Sequence, residues 1–242
     1  MNPRQSTILR YLVEDYIRSV EPVSSGALVK KFCLPWSSAT VRNDLVELEE
    51  KEFIHQLYAV SGRVPTAKAY RYFVDNFLDL SSLDVDVVKE ISRAIQKGNR
   101  ENILRVLAEA VSEISGMVSF ISRESDHSFY ICGLGRVFSE PEFHEFSYLQ
   151  RFGRMLDNLY NEADYFFDVL DLNSPRIFIG DEGGMDFGAD EYSLVVSLTR
   201  GSRLGEPVIL GLAGPQRMDY RKNQILVDYC RKVLEEEHYG SR

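Results

Sequence analysis

Apolar residues recur at helical spacing from the first turns of the chain. Ile8, Leu9, Leu12, Val13, Tyr16 and Ile17 fall on one stripe, the recurrence of a helix with a single buried face. Pro22 disfavours helical geometry at Glu21, so this helix should end near Val20. Ser24 or Ser25 then caps a second, short helix that carries Leu28 and Phe32 inward. After the turn Cys33-Leu34-Pro35-Trp36, Ser37 caps a third helix with Val41, Leu45 and Leu48 on its inner face. Two short helices across a tight turn form a helix-turn-helix. Residues 53–58 read as a strand, 59–62 as its turn, and Arg63-Val64 as a return strand cut short by Pro65. That ribbon has the place of a wing.

Thr66 starts a further helix with Tyr70, Phe73, Val74, Phe77 and Leu78 on one side. The pattern predicts two more over 84–97 and 99–115, the second ended by Gly116. The texture then changes to strands: MVSFIS, SFYICGLGRVF, PRIFIGD, YSLVVSLT and PVILGLAG. Helices over 145–162 and 219–238 accompany them, so the second part is α+β with a mostly antiparallel sheet.

The third helix carries the candidate chemistry. With Val41, Leu45 and Leu48 inward, Ala39, Asn43 and Val46 turn outward, with Thr40 and Arg42 on the flanks. In helix-turn-helix proteins this end of the second motif helix enters the major groove. Arg can chelate a guanine edge and Asn an adenine edge, and Ala or a Thr methyl can meet a thymine methyl. The candidate DNA-binding residues are Ser38, Ala39, Thr40, Arg42 and Asn43. Ser61 and Arg63 join them from the ribbon tip, and Lys68 and Arg71 as phosphate contacts. The rear of the helix, with Glu47, Glu49, Glu50 and Glu52, reads as an acidic strut kept clear of DNA. Structurally, the Ser, Thr and Asn at the front also serve as capping residues and the acids as a solvated face.

Charge sharpens this division. The chain has 242 residues and a net charge of −9, which excludes a non-specific nucleic-acid coat. Residues 1–76 carry ten Lys/Arg against nine Asp/Glu, and the remainder 18 against 28. Contact with DNA therefore belongs to local positions in the first third. No apolar run approaches the ~18 residues that span a bilayer, and charge enters the N-terminal pattern at once, unlike a secretory signal. A cytoplasmic protein with no membrane partner is expected. Cys33, Cys132 and Cys230 are too scattered for a disulfide framework, and the four histidines add no metal-ligand spacing. Neither a cofactor nor a metal is expected.

Other candidates read as structural. The loop at 180–192 gathers Asp181, Glu182, Asp186, Asp190 and Glu191, but not at calcium-loop spacing; its glycines suit a hairpin connection. Gly133 and Gly135 lack the rest of a dinucleotide fingerprint and suit a bend or bulge in a strand. In Arg217-Met218-Asp219-Tyr220, Asp219 caps the terminal helix while Met218 and Tyr220 pack on the sheet. No nucleophile–base set or carboxylate pair has a defensible motif, so an enzyme is not expected.

SSATVRNDLVELEEKEFI and SGRVPTAKAYRYFVDNF closely resemble the N-terminal winged helix of the HrcA family of heat-inducible transcription repressors. RQSTILRYLVEDYI and EPVSSGALVKKF fit the same pattern, and GPQRMDY resembles the family's C-terminal hallmark. The resemblance implies a winged helix over 1–77, a helical linker region over 78–116 and a GAF-like α+β domain over 117–242. It further implies a homodimer that binds an inverted repeat in double-stranded DNA upstream of chaperone operons, with the chaperonin GroEL supporting its activity. The chain departs from the family between MVSFIS and SFYICGLGRVF, where most of the inserted dimerisation domain is missing, and QLYAVSGR lacks a Pro-His at the wing. The alternative is a metabolite-responsive winged-helix regulator whose GAF-like domain binds a small ligand.

Overall fold

The structure, a computed structural model, describes residues 1–57, 62–80, 89, 91–93, 102–125, 128–161, 163–182, 191–200 and 206–235. The chain divides into two compact units, Met1–Leu78 and Asp79–Arg242.

The first unit runs α1 (Pro3–Ser19), α2 (Ser25–Lys31), α3 (Ser38–Glu50), β1 (Ile54–Gln56), β2 (Arg63–Pro65) and α4 (Ala67–Phe77). Its helix starts are written in side-chain oxygens. Asn2 and Gln5 form a reciprocal capping box on α1, and Ser24, Ser37 and Thr66 accept from the backbones of Ala27, Thr40 and Ala69. Val20 ends α1 in the left-handed region at φ 59°, just before Pro22. Ile8, Leu9, Leu12, Val13, Leu28, Val41 and Leu48 are fully buried and form the core between the helices.

β1 and β2 pair antiparallel, with Gln56 opposite Arg63. The return strand is also laced to the α1–α2 connection: Val23 and Arg63 exchange backbone hydrogen bonds of 2.9 and 2.8 Å. Gly62 makes this approach possible, because a Cβ there would lie 2.5 Å from the Pro22 carbonyl. Tyr58, Ser61 and the rest of the expected ribbon turn before Gly62 lie outside the described residues.

The second unit is built on five strands: β3 (Val118–Arg123), β4 (Phe129–Cys132), β5 (Arg176–Ile179), β6 (Tyr192–Arg200) and β7 (Pro207–Pro215). Their order is β4-β3-β7-β6-β5, every neighbouring pair being antiparallel. The sheet is covered on both faces. Phe120, Phe178, Leu194, Val196 and Ile209 face one core, completed by α7 (Phe146–Asn161) and α8 (Ala163–Val169). Alternate residues face α5 (Ile103–Ser115) and α9 (Tyr220–Glu235). On that side Ser119 Oγ donates to the Ala108 carbonyl, and the Ser193 and Tyr220 hydroxyls lie 2.9 Å apart. The segment around 103–115 thus contributes a helix to this unit, ended by Gly116 at φ 76°.

One strand is shorter than its apolar pattern predicts. SFYICGLGRVF does not continue as a strand: β4 stops at Cys132 and a helical turn, α6 (Leu134–Val137), follows. Gly133 makes the break at φ 91°, where its missing Cβ would otherwise lie 1.8 Å from Ser112 Oγ. The helix expected at 84–97 and the acidic loop at 183–190 fall largely outside the described residues. Asp219 caps α9 by accepting from Lys222 N at 3.0 Å, while Met218 and Tyr220 are buried.

Candidate nucleic-acid interface

α3 has two different ends. At its start, Ser37 Oγ accepts from Thr40 N at 3.1 Å and lies 2.9 Å from the Thr40 hydroxyl. Ser38 Oγ lies 3.0 Å from Ser25 Oγ and so ties α3 to α2. Beyond these ties, Ala39, Arg42 and Asn43 are exposed and Thr40 is half-buried. Arg42 and Asn43 make no hydrogen bond or ion pair among the described residues. No acid stands in the first turn, so the positive end of the helix dipole is not offset there. Val46, 42% exposed, extends the same face by one turn. A cationic fork, an amide and two small apolar groups therefore share one open surface.

The rear of the helix is held by long-range polar ties. Asp44 is buried, and Arg4 reaches it with two hydrogen bonds of 2.7 and 3.1 Å. That pairing raises the Arg4 guanidinium further above its already high value. Glu47 accepts from Gln5 Nε2 at 2.5 Å and lies 3.7 Å from the Lys51 ammonium. Glu49 pairs with Arg63 at 2.9 Å. The acids expected to form a solvated strut are thus divided. Of the four, Glu47 and Glu49 join the buried Asp44 in fixing the helix to α1 and β2, while Glu50 and Glu52 stay exposed. Asp15, on α1, is buried and takes its charge partner, Lys31, from α2.

Three of the other candidates already hold partners. Arg63 is not at a ribbon tip: it opens β2, and its side chain is largely covered as it bonds Glu49. Lys68 donates to the Lys51 carbonyl at 2.8 Å and lies 4.9 Å from the Phe53 ring centroid. It therefore sits at the negative end of α3, about 20 Å along the helix from Ser37 at 1.5 Å per residue. Arg71 pairs with Asp75 at 3.3 Å. Ser61 lies outside the described residues. The structure brings Ser38, Ala39, Thr40, Arg42 and Asn43 onto one helix end and places Arg63, Lys68 and Arg71 apart from them.

Sequence reasoning missed Arg4 and Gln5, which set the pitch of α3 from forty residues away. A signal existed in Asp44, an acid on the same helix face as Val41, Leu45 and Leu48, which requires a partner when buried. Among the described residues no cluster of His, Cys, Asp or Glu could hold a metal ion. Cys230 is buried, and burial pushes its thiol pKa up, as it does that of Cys132; neither is an activated nucleophile. No helix of the described residues is long and apolar enough to cross a membrane.

Comparison with known proteins gives the frame. The family model described as "HrcA protein C terminal domain" matches residues 36–223. The heat-inducible transcription repressor HrcA of Corynebacterium diphtheriae is 40% identical over 119 residues, which are 49% of this chain and 34% of that protein. The Bacillus pumilus repressor of the same name is 38% identical over 120 residues, 49% of this chain and 35% of that protein. The chain thus spans about a third of the length of the curated relatives it matches. A crystal structure described only as a hypothetical protein shares the fold, with a TM-score of 0.79 and 16% identity over 97% of this chain and 98% of that one. With the family model covering well over half of its residues, the chain belongs to the HrcA family.

Proposed function

We propose that the first unit is a winged helix-turn-helix that reads DNA with the start of α3, and that the protein represses heat-inducible chaperone genes. The observation that carries this reading is the contrast along one helix. The groups that can read base edges, Arg42 and Asn43, are exposed without internal partners, whereas Asp44, Glu47 and Glu49 are bound to Arg4, Gln5 and Arg63. A rigid support with an uncommitted tip suits base readout, where a good bidentate contact discriminates by ~1–3 kcal/mol. Ser38, Ala39 and Thr40 complete the reading face. Lys68 and Arg71 are the candidate phosphate contacts, and Ser61 and Arg63 the candidate wing contact; in the free protein Arg63, Lys68 and Arg71 each hold an internal partner that DNA must replace or share.

One such head reads one half-site, so a homodimer on an inverted repeat follows, its half-sites roughly 34 Å or a multiple apart. The second unit, with its five-stranded antiparallel sheet, is the GAF-like body, through which GroEL modulates repression. The membership of the family supports this assignment.

Footprinting of the purified protein on genomic DNA tests it. Protected inverted repeats upstream of chaperone genes are the expected result, with affinity that falls as salt rises. Binding that ignores salt, or protection with no two-fold symmetry, would overturn it. Added GroEL should strengthen operator binding; a small-molecule thermal shift with no response to GroEL would replace the chaperonin by a metabolite.

A further inference from the structure

The five-stranded sheet treats its two edges oppositely. At one edge, β5 follows Pro175, begins with Arg176, and buries Ile177, Phe178 and Ile179. Proline and charge are the usual guards of an edge. At the other, β4 reads Phe129-Tyr130-Ile131-Cys132, with no charge, proline or bulge. Tyr130 and Ile131 are exposed, and Phe129 and Cys132 only half-buried. Beside the strand, Phe129, Ile131, Leu156, Asp157, Tyr160 and Asn161 line an open groove of about 430 Å³. Tyr160, 56% exposed, stands edge-on to Phe129 at 5.6 Å. Among the described residues no strand pairs with this apolar edge, and its row of unpaired N–H and C=O groups is a template for one more strand.

The hydrogen-bond register says what fits it. Arg123 N donates to the Ser128 carbonyl at 3.1 Å, and the β3–β4 register runs from Ser122 opposite Phe129 to Ser119 opposite Cys132. Bonded and non-bonded pairs alternate in an antiparallel ladder. Ser128, Tyr130 and Cys132 therefore direct their backbone groups at β3, and Phe129 and Ile131 direct theirs outward. The other side of β3 agrees, since Glu124 N donates to Pro207 on β7. Two outward residues separated by one inward residue are self-complementary under a two-fold axis normal to the sheet. Phe129 then meets Ile131 of a second copy, Ile131 meets Phe129, and four backbone hydrogen bonds form around Tyr130 on the axis. The parity of side chains is kept as well. Phe129 and Ile131 lie on the same sheet face as Phe120, so the two aromatic grooves adjoin across the axis.

We infer that the β4 edge is the surface by which two copies of this chain associate, in the register Phe129 to Ile131 with Tyr130 on the two-fold axis. The inference rests on the homodimer assigned above and locates its interface in the second unit.

The test uses the full chain. Wild type should sediment as a dimer, and Ile131→Lys, which adds one charge to each side of the joint, should return the mass to the 27.8 kDa of one chain with an unchanged circular dichroism melt. A second variant guards against misfolding. Tyr130→Cys, in a background with Cys33→Ser and Cys132→Ser, should cross-link to a covalent dimer on mild oxidation, because facing residues in a non-bonded antiparallel pair bring their Cα atoms to about 4.5 Å. The same background with Tyr160→Cys should cross-link at least about tenfold more slowly, since only the axial position faces its own copy. A dimeric wild type whose mass ignores Ile131→Lys and whose thiol at 130 fails to cross-link overturns the edge assignment and leaves the repressor dimer standing. A wild type that stays monomeric when bound to its operator overturns both.

Discussion

The two units are held together by different chemistry. In the first, 78 residues enclose a small apolar centre, and α3 owes its direction to polar ties: Arg4 to Asp44, Gln5 to Glu47, Arg63 to Glu49, Ser25 to Ser38. In the second, rings pack between the sheet and its helices, Phe120 stacked on Phe129 and tilted against Phe166, and Phe152 edge-on to Phe143 and Tyr192. Apolar contacts supply bulk stability but little direction; hydrogen bonds fix an angle. On the proposed function the first unit concentrates its directional contacts on the helix it presents, whereas the second adds to its packed rings polar ties on the 3-10 turn at 141–144 and on α9, Arg217 to Glu140 and Glu142 and Arg231 to Asp228 and Glu235.

That contrast is easiest to break in the apolar unit. Phe120 is 1% exposed, and its ring covers Gly211 on the neighbouring strand, where a Cβ would lie 2.2 Å from it. Phe120→Ala should cost about 3–5 kcal/mol, read as a shifted denaturant midpoint by circular dichroism. Next comes Gly62→Ala, which drives a methyl into the Pro22 backbone at 2.5 Å. It should cost about 1–3 kcal/mol, and the single tryptophan, Trp36, lies in this unit and reports it by fluorescence. Ser37→Ala removes the cap of α3 and should cost about 1 kcal/mol, with a larger relative loss of operator binding than of stability. Smallest is the Arg63–Glu49 tie. A double-mutant cycle with Arg63→Ala and Glu49→Ala should return a coupling of about 0.5–1 kcal/mol; additive effects would show that the pair does not orient α3. A flatter salt slope for Arg63→Ala would add a phosphate contact to this role.

Much of the first unit was legible because its instructions are local. Ser24, Ser37 and Thr66 announce their helices within three residues, Pro22 closes α1, and the stripe from Ile8 to Val13 is the buried one. The ties on Asp44 and Asp15 were not legible, since Arg4 is forty residues from one and Lys31 sixteen from the other. Local pattern indicates that a buried acid needs a partner but does not name it. In the second unit, SFYICGLGRVF reads as one strand because its apolar residues continue past the break. The chain turns at Gly133, at φ 91°, where any side chain would meet Ser112. The run DYFFDV offers too few residues to separate strand from helix by period; it forms α8, with Phe166 packed against Phe120 and Phe178. At the candidate interface, outward and inward residues of α3 followed from periodicity. The engagement of Arg63 and Lys68 depends on where β2 and α4 return, which no local pattern contains, whereas Arg71 pairs with Asp75 four residues along α4.

The claim on which the functional account rests is that Arg42 touches DNA and nothing else. A fluorescence-anisotropy titration of the footprinted operator fragment with wild type and Arg42→Ala, at matched salt, addresses it directly. The account predicts affinity lower by about 5- to 150-fold, the equivalent of 1–3 kcal/mol, with a melting transition that stays within about 0.5 kcal/mol of wild type. Equal affinity for the two proteins would contradict it.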